Sequence, residues 1–582
     1  MIKIILGLII LLIPFLLTLK FQDRKKGFFS ILAFFIFFHL ITALITQFFG
    51  IFNYPIILSI NILSGLIIIL KTDFKELKEK IAFKKIKIDF ILIFVLIVVF
   101  IELFSVHFNY TGKISDIKNP YENLKEVKNM KYVYPYFSDE WVAVSLIKYS
   151  TETGKLPFVN PLWKNSYFPN LEFAFHSFLS EFFLILNLNP LTSYVFFAII
   201  FGLLICFLVY FLLRFNKVGR FASAIAALSI PLIVNSGTFP GIWYLIPLII
   251  GLICMLLTFI FISINDKKMI FLSSFLTLIF YPPLFILLIF SIIPYFLFYD
   301  KKYAKNFFLF FFICFLAILF LIFNLEKNAN SFNFIISKIF YLFVIYLIPD
   351  YSIWKIIPLF SIIFAILGLI KFRKKIWIFL PIFVGLAFWS LYSVILVRFI
   401  IDYDRLVFAT SVLIIIVSGF GMDFLVNQSE KFFNKKTIRI LEAIILVLFL
   451  IYAFNYTSHD KWENIKFYGN GKVFNPTSPA TVFLQEKDLE LFQNITEKVF
   501  IAPPWKGLVI GVATGNYPLE SKGSTITNQF FTYNKFMELN CKEKKQTALD
   551  YDISYAYSEN FSCDSFRRIG KSKELYLYEF EK

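Results

Sequence analysis

Asp139 and Glu140 are adjacent carboxylates in a chain where only 16% of residues are charged and 59% are hydrophobic. Ser138, just before them, is a good N-cap, and Gly154 followed by Pro157 is a good stop signal. Between these signals Trp141, Val144 and Ile147 recur at helical spacing, which predicts an amphipathic helix of about four turns. Both acids then fall in its first turn, where the helix dipole favours the ionised form. A carboxylate kept charged beside a membrane can serve as a general base or hold a divalent cation, with Asp139 and Glu140 as the ligands if a metal is used. The competing role is plain: the two acids cap a surface helix and do nothing more.

A second polar group occurs at Arg398, Asp402, Asp404 and Arg405, between two long apolar runs. Two arginines and two aspartates at a membrane edge are costly unless paired or in water. An arginine there suits a lipid-linked phosphate, because its planar fork matches phosphate oxygens and its charge is permanent. Mutual ion pairing with interfacial snorkelling is the alternative role. A third candidate is His176. It lies in a segment, 171–187, whose Leu171, Phe175, Phe178, Phe182 and Ile185 make an apolar stripe while Glu172, His176 and Ser180 follow one another at i+4. That pattern predicts a helix lying flat in the membrane interface, with His176 facing either a polar pocket or lipid headgroups.

The elements that must position these residues are membrane helices. The chain has 582 residues, 20% of them aromatic, and a soluble fold could not hide that much apolar surface. Hydrophobic windows give fourteen expected spans: 2–19, 27–49, 51–71, 89–106, 191–214, 222–238, 242–264, 269–281, 284–299, 307–324, 353–370, 376–396, 406–425 and 438–456. The first resembles a signal peptide, but its basic residues follow the apolar run and no small-residue cleavage site is evident, so a membrane helix is expected. The net charge of +18 lies entirely in the membrane portion, since residues 456–582 carry 16 basic and 16 acidic side chains. It gathers in short loops such as Lys71 to Lys87, Arg214 to Arg220 and Lys431 to Arg439, the mark of a cytoplasmic face. Alternating the spans places these loops inside and puts the loop 107–168 and the C-terminal tail outside, in an expected plasma-membrane protein. Basic stripes interleaved with aromatics are lacking, which argues against nucleic acid as a partner.

Three regions follow: N-terminal membrane helices and a basic loop (1–88), a membrane core with the large external loop (89–455), and a soluble extracytoplasmic α/β module (456–582). In the module, segments 498–502, 507–512, 553–557 and 574–580 read as strands, and 535–538 and 542–550 as helical pieces. Gly507, Gly511 and Gly515 make no dinucleotide motif, and Asn516 stands where a phosphate-binding loop needs lysine. Cys541 and Cys563 lie in this external module, where a disulfide can persist, although spacing does not establish one. His39 reads as a packing histidine in the second span.

The order of features resembles the GT-C superfamily of membrane glycosyltransferases, among them protein O-mannosyltransferases, oligosaccharyltransferase catalytic subunits and lipid A aminoarabinose transferases. The likeness is carried by Ser138-Asp139-Glu140-Trp141, the exit Gly154-Lys155-Leu156-Pro157, and Phe168-Pro169-Asn170 leading into the helix at 171–187. It covers residues 89 to 425, with the C-terminal module matching loosely; three spans ahead of the acidic loop's own leading helix depart from the simplest family layout. The resemblance implies a sugar donor linked to polyprenyl phosphate, drawn from the membrane lipids, and an inverting transfer to an acceptor whose nature, protein, glycan or lipid, is open. In that scheme Asp139 is the catalytic carboxylate, Glu140 its support or co-ligand, and Arg405 and Arg398 stabilise the departing phosphate. Two other classes fit parts of the sequence: a flippase or exporter of lipid-linked saccharides, favoured by paired ionisable residues deep within helices, and a non-catalytic membrane assembly protein.

Overall fold

The computed structural model describes the chain except for residues 1, 19–23, 71–88, 116–123, 136, 169, 234–240, 300, 326–347, 350–355, 372–375, 396–402, 457–466, 470–471, 475–483, 522–529, 573–574 and 582. Three helices lead: α1 (Ile2–Thr18), α2 (Arg24–Phe48) and α3 (Tyr54–Leu70). Then come α4 (Phe90–Phe108), a hairpin of β1 (Tyr110–Ser115) and β2 (Leu124–Met130), α5 (Ser138–Thr153), the short pair β3 (Val159–Asn160) and β4 (Ser166–Tyr167), and α6 (Phe173–Leu186). The core continues through α7 (Pro190–Phe215), α8 (Arg220–Ser229), α9 (Pro247–Ile264), α10 (Lys267–Phe280), α11 (Pro282–Tyr299) and α12 (Lys301–Leu325). After β5 (Ile348–Pro349) it ends with α13 (Leu359–Lys371), α14 (Ile376–Ile395), α15 (Tyr403–Ser429) and α16 (Lys435–Tyr456).

Fourteen of these helices fall on the fourteen expected spans. Among the described residues, six segments are both long and apolar enough to cross a membrane: 27–48, 90–108, 190–215, 247–264, 282–299 and 405–429. The helix expected over 222–238 stops at Ser229 after ten residues, too short for a ~30 Å hydrocarbon core. Several helix starts are chemically marked: Asn189 accepts from Leu191 N ahead of Pro190, and Asp266 accepts from Met269 N. The crossing of α13 on α15 depends on Gly368 and Gly421. A Cβ on Gly421 would strike the Phe364 carbonyl, and one on Gly368 the Val417 carbonyl.

The flat interfacial helix expected at 171–187 is a correction. Helix α6 packs against α1, α2, α3, α5 and α10, and residues on all its faces are buried, Ala174, Phe175, Phe178, Phe182 and Ile185 together with His176, Ser177, Ser180 and Glu181. Of its i+4 polar stripe, His176 and Ser180 are buried with partners inside the protein, Asn170 and the His176 carbonyl, and Glu172 at its start is half-buried.

The C-terminal residues form β6 (Phe467–Gly469), β7 (Lys472–Phe474), α17 (Glu486–Phe492), β8 (Val499–Ile501), α18 (Pro504–Thr514), β9 (Tyr517–Pro518), α19 (Tyr533–Glu538), α20 (Cys541–Asp550), β10 (Ile553–Ser558), β11 (Phe566–Lys571) and β12 (Tyr576–Phe580). Five of the strands make one mixed sheet in the order β11-β12-β10-β8-β9, parallel from β10 through β8 to β9 and antiparallel elsewhere. The strand expected at 507–512 is a helix instead. Pro504 opens α18 at its first turn and Gly515, at φ 74°, closes it. Gly507 and Gly511, one turn apart, bring α18 against the chain at Pro518–Glu520, where a Cβ on either would collide. The apolar run therefore reads as a buried helix, which a short hydrophobic window does not distinguish from a strand. One face of the module, with Leu508, Val509 and Phe500, joins the apolar core of the membrane helices, through packing of α18 on α5. Cys541 and Cys563 are bridged, with Cα atoms 5.2 Å apart.

Candidate active site

The head of α5 is built by Phe137, Glu140 and Asp139. Phe137, not Ser138, is the residue just outside the helix: it is extended, at φ −98° and ψ 143°, and its carbonyl accepts the first helical amides. Its own N–H donates to Glu140 Oε2 at 3.2 Å, one half of a capping box. Ser138 opens the helix as its first residue. At the far end Gly154 adopts φ 70°, and a Cβ there would lie 2.9 Å from the Phe52 carbonyl oxygen, so both conformation and space require glycine.

Asp139 faces across to α15. Its Oδ2 accepts from Arg405 Nη2 at 3.0 Å, and the two side chains keep 16% and 15% of their exposure. Arg405 also lies 5.9 Å over the Phe137 ring, a cation–π arrangement that fixes the guanidinium from a second side. Asp139 is the second residue of α5 and Arg405 the third of α15. Two helix N-termini and a guanidinium thus surround one carboxylate, a field that favours an anion at this spot.

Glu140 has a different environment. It is fully buried, and its Oε1 accepts from Leu245 N at 2.8 Å while Oε2 takes Phe137 N. The expectation that the adjacent acids act side by side, or share a cation, therefore meets a divergent pair: Asp139 turns outward to Arg405 and Glu140 inward to backbone amides. A metal bridging the two does not fit this arrangement. Among the described residues no group of three or more His, Cys, Asp and Glu side chains converges.

His176 is also internal. Its Nδ1 lies 3.1 Å from Asn170 Nδ2, which donates in turn to the Pro157 carbonyl at 2.9 Å. It is buried, and through Asn170 it braces the turn that leads from the 107–168 loop into α6. Arg398 and Asp402 lie outside the described residues. Asp404 is the second residue of α15. The Arg405 side chain is brought to Asp139.

The 107–168 loop is tied to the module by Tyr132, whose hydroxyl accepts from Leu484 N at 2.9 Å; burial pushes its phenol above the usual range. Tyr134 stacks on Trp141, ring centroids 6.3 Å apart. Trp163, between β3 and β4, packs on Phe530 at 4.4 Å.

Sequence reasoning passed over one pair of groups. His39 Nδ1 and Glu181 Oε1 are 2.7 Å apart, and both side chains are wholly enclosed. Gln47 receives the Ser177 hydroxyl at 2.6 Å nearer the outer end of the same α2–α6 contact. The signal was Glu181 itself, a carboxylate within an apolar helix, which demands a partner.

No protein-family model matches the chain, and no curated protein matches it in sequence. Solved structures similar to it include the oligosaccharyltransferase of Archaeoglobus fulgidus tethered to an acceptor peptide containing the NVT sequon, at 12% identity and a TM-score of 0.45, covering 82% of this chain and 69% of that one. The apo form of the same enzyme gives 13% identity and a TM-score of 0.44, over 82% and 70%. The archaeal oligosaccharyltransferase AglB of the same organism, in complex with an inhibitory peptide and a dolichol-phosphate, gives 14% and 0.39, over 82% and 70%.

Proposed function

We propose that this protein is a membrane glycosyltransferase that moves a sugar from a polyprenyl-phosphate-linked donor to an acceptor on the extracytoplasmic side, with Asp139 as the catalytic carboxylate. The observation that carries this reading is the Asp139–Arg405 pair, 3.0 Å apart and partly exposed, joining residues 266 positions apart in the chain. A general base and a phosphate-binding cation are the two groups that the reaction needs, and they meet at one point.

The chemistry follows from those two side chains. Arg405 donates to Asp139 Oδ2. A donor phosphate brings a second anion to the same guanidinium and the same two helix ends, and competition for Arg405 loosens its hold on Asp139. The carboxylate then takes the proton of the acceptor hydroxyl or amide as that atom attacks the anomeric carbon. The bond from the anomeric carbon to the phosphate oxygen breaks, and its electron pair leaves with the phosphate, which Arg405 stabilises. Attack opposite the leaving group inverts the anomeric centre. Arg398, Asp402 and Asp404 are proposed as further donor contacts. The acceptor is a protein, glycan or lipid nucleophile.

The test is sugar transfer by purified Asp139→Asn from lipid-linked donors. A fall of about 10²–10⁴-fold with donor binding retained is expected, the size of a lost general base; full activity would remove Asp139 from this role. A second reading, a flippase of lipid-linked saccharides, gains support from the enclosed His39–Glu181 pair. Reconstituted vesicles separate the two: donor that changes leaflet without being consumed would favour the flippase.

A further inference from the structure

Residues 241–246, just ahead of α9, run through the protein interior without forming a helix or strand, and all six are buried. Backbone groups in such a place need partners. Side chains of three separate elements supply them. Glu140 of α5 accepts Leu245 N at 2.8 Å. The Tyr194 hydroxyl of α7 donates to the Leu245 carbonyl at 2.5 Å. His107, at the end of α4, lies with Nε2 3.0 Å from the Trp243 carbonyl; a carbonyl only accepts, so Nε2 carries the proton in this contact. Both backbone polar groups of Leu245, its N–H and its carbonyl, are thus held by side chains.

The next residue inward links this segment to the candidate site. Tyr244 stacks on Phe137, centroids 5.3 Å apart and planes 23° from parallel. Phe137 carries the Arg405 guanidinium on its ring and gives its N–H to the same Glu140 that holds Leu245. Two routes therefore run from the segment to the pair: Leu245 through Glu140 to the head of α5, and Tyr244 through Phe137 to Arg405.

We propose that residues 241–246 are a strap that sets the Asp139–Arg405 geometry, and that Tyr194 and His107, which bond to the strap itself, are positioning residues for the pair. The effect on turnover rests on the transferase reading above; the effect on geometry does not. A displacement of about 1 Å at a reacting pair can cost on the order of 10²-fold in rate, so small hydroxyl and imidazole contacts far from the chemistry matter here.

The experiment uses the full chain in lipid nanodiscs with Tyr194→Phe, His107→Phe and His107→Asn, the last keeping a side-chain N–H donor. Hydrogen exchange is followed in peptides covering 134–146, 241–250 and 267–280. Tyr194→Phe and His107→Phe are expected to speed exchange in the first two peptides together and leave the third unchanged. Transfer should lose about 10- to 100-fold in kcat with the donor KM unchanged, and His107→Asn should recover most of both. Faster exchange confined to 241–250, faster exchange in all three peptides, or normal kcat despite coupled exchange would each overturn the proposal. If the unaltered protein transfers no sugar at all, coupled exchange still supports the strap, and only the proposed function fails.

Discussion

Two acid–base pairs in this protein have nearly the same composition and opposite surroundings. Asp139 and Arg405 meet at 3.0 Å with about one-sixth of each side chain still exposed. His39 and Glu181 meet at 2.7 Å with no exposure at all. The first joins helix N-termini beside the 107–168 loop; the second joins α2 to α6 inside the bundle. Exposure decides what each pair can do. A pair that water reaches can exchange one partner for a substrate anion, whereas a sealed pair can only be lost, because parting it leaves a buried polar group with nothing to replace its partner.

The largest expected effects come from removing one partner of each pair. Asp139→Asn should reduce transfer by about 10²–10⁴-fold and cost less stability than loss of the sealed pair, since water can still reach the partner left behind. His39→Ala should show the reverse: a loss of about 1–3 kcal/mol of stability with turnover of the surviving folded protein near normal. Thermal unfolding and transfer measured on the same preparations check both. A stability defect for Asp139→Asn as large as that of His39→Ala, without loss of transfer, would make the outer pair structural too.

A smaller effect is expected from Arg405. Arg405→Lys keeps the charge but loses the planar fork, so its donor KM should rise less than that of Arg405→Ala. Titration of a limiting lipid donor against both variants measures this. Equal and normal KM values would assign the phosphate to another cation.

The smallest effect concerns pH and the module. Glu520 accepts from Tyr533 N at 2.6 Å, yet burial dominates and raises its carboxyl above the ordinary value of 4.5. A folded-state value above the unfolded one means the folded protein holds that proton more tightly. Stability from this group is therefore full below the unfolded value and declines as pH rises from there through the raised folded value. Glu520→Gln, which cannot ionise, should flatten that part of the stability–pH curve, read by unfolding between about pH 4 and 7. An unchanged curve would count against it.

Much of this molecule was legible from local chemistry. Runs of Phe, Ile and Leu favour helices, so a helix falls on each expected span, while among the described residues six segments are long and apolar enough to cross a membrane. The limits of α5 were nearly readable because Gly154 accepts a left-handed backbone that other residues resist. The disulfide had two cysteines to itself in the module. The misreadings share one cause. A segment such as 507–512 is apolar enough for either strand or helix, and the i+4 polar stripe of α6 suits a headgroup layer as well as a polar seam between helices. Sequence periodicity tells which residues share a face, not what that face meets.

What only the tertiary structure decided is the pairing. Asp139 and Glu140 are neighbours of equal charge in the chain, and a helical rotation of about 100° per residue sends one outward to Arg405 and the other inward to Leu245 N. The sequence by itself determined that acids would stand at a helix start beside a membrane and that cations would stand at another edge. It could not determine that Arg405 is the one that reaches Asp139, because the contact spans 266 residues and exists only after α5, α15 and the 241–246 segment have packed into one body.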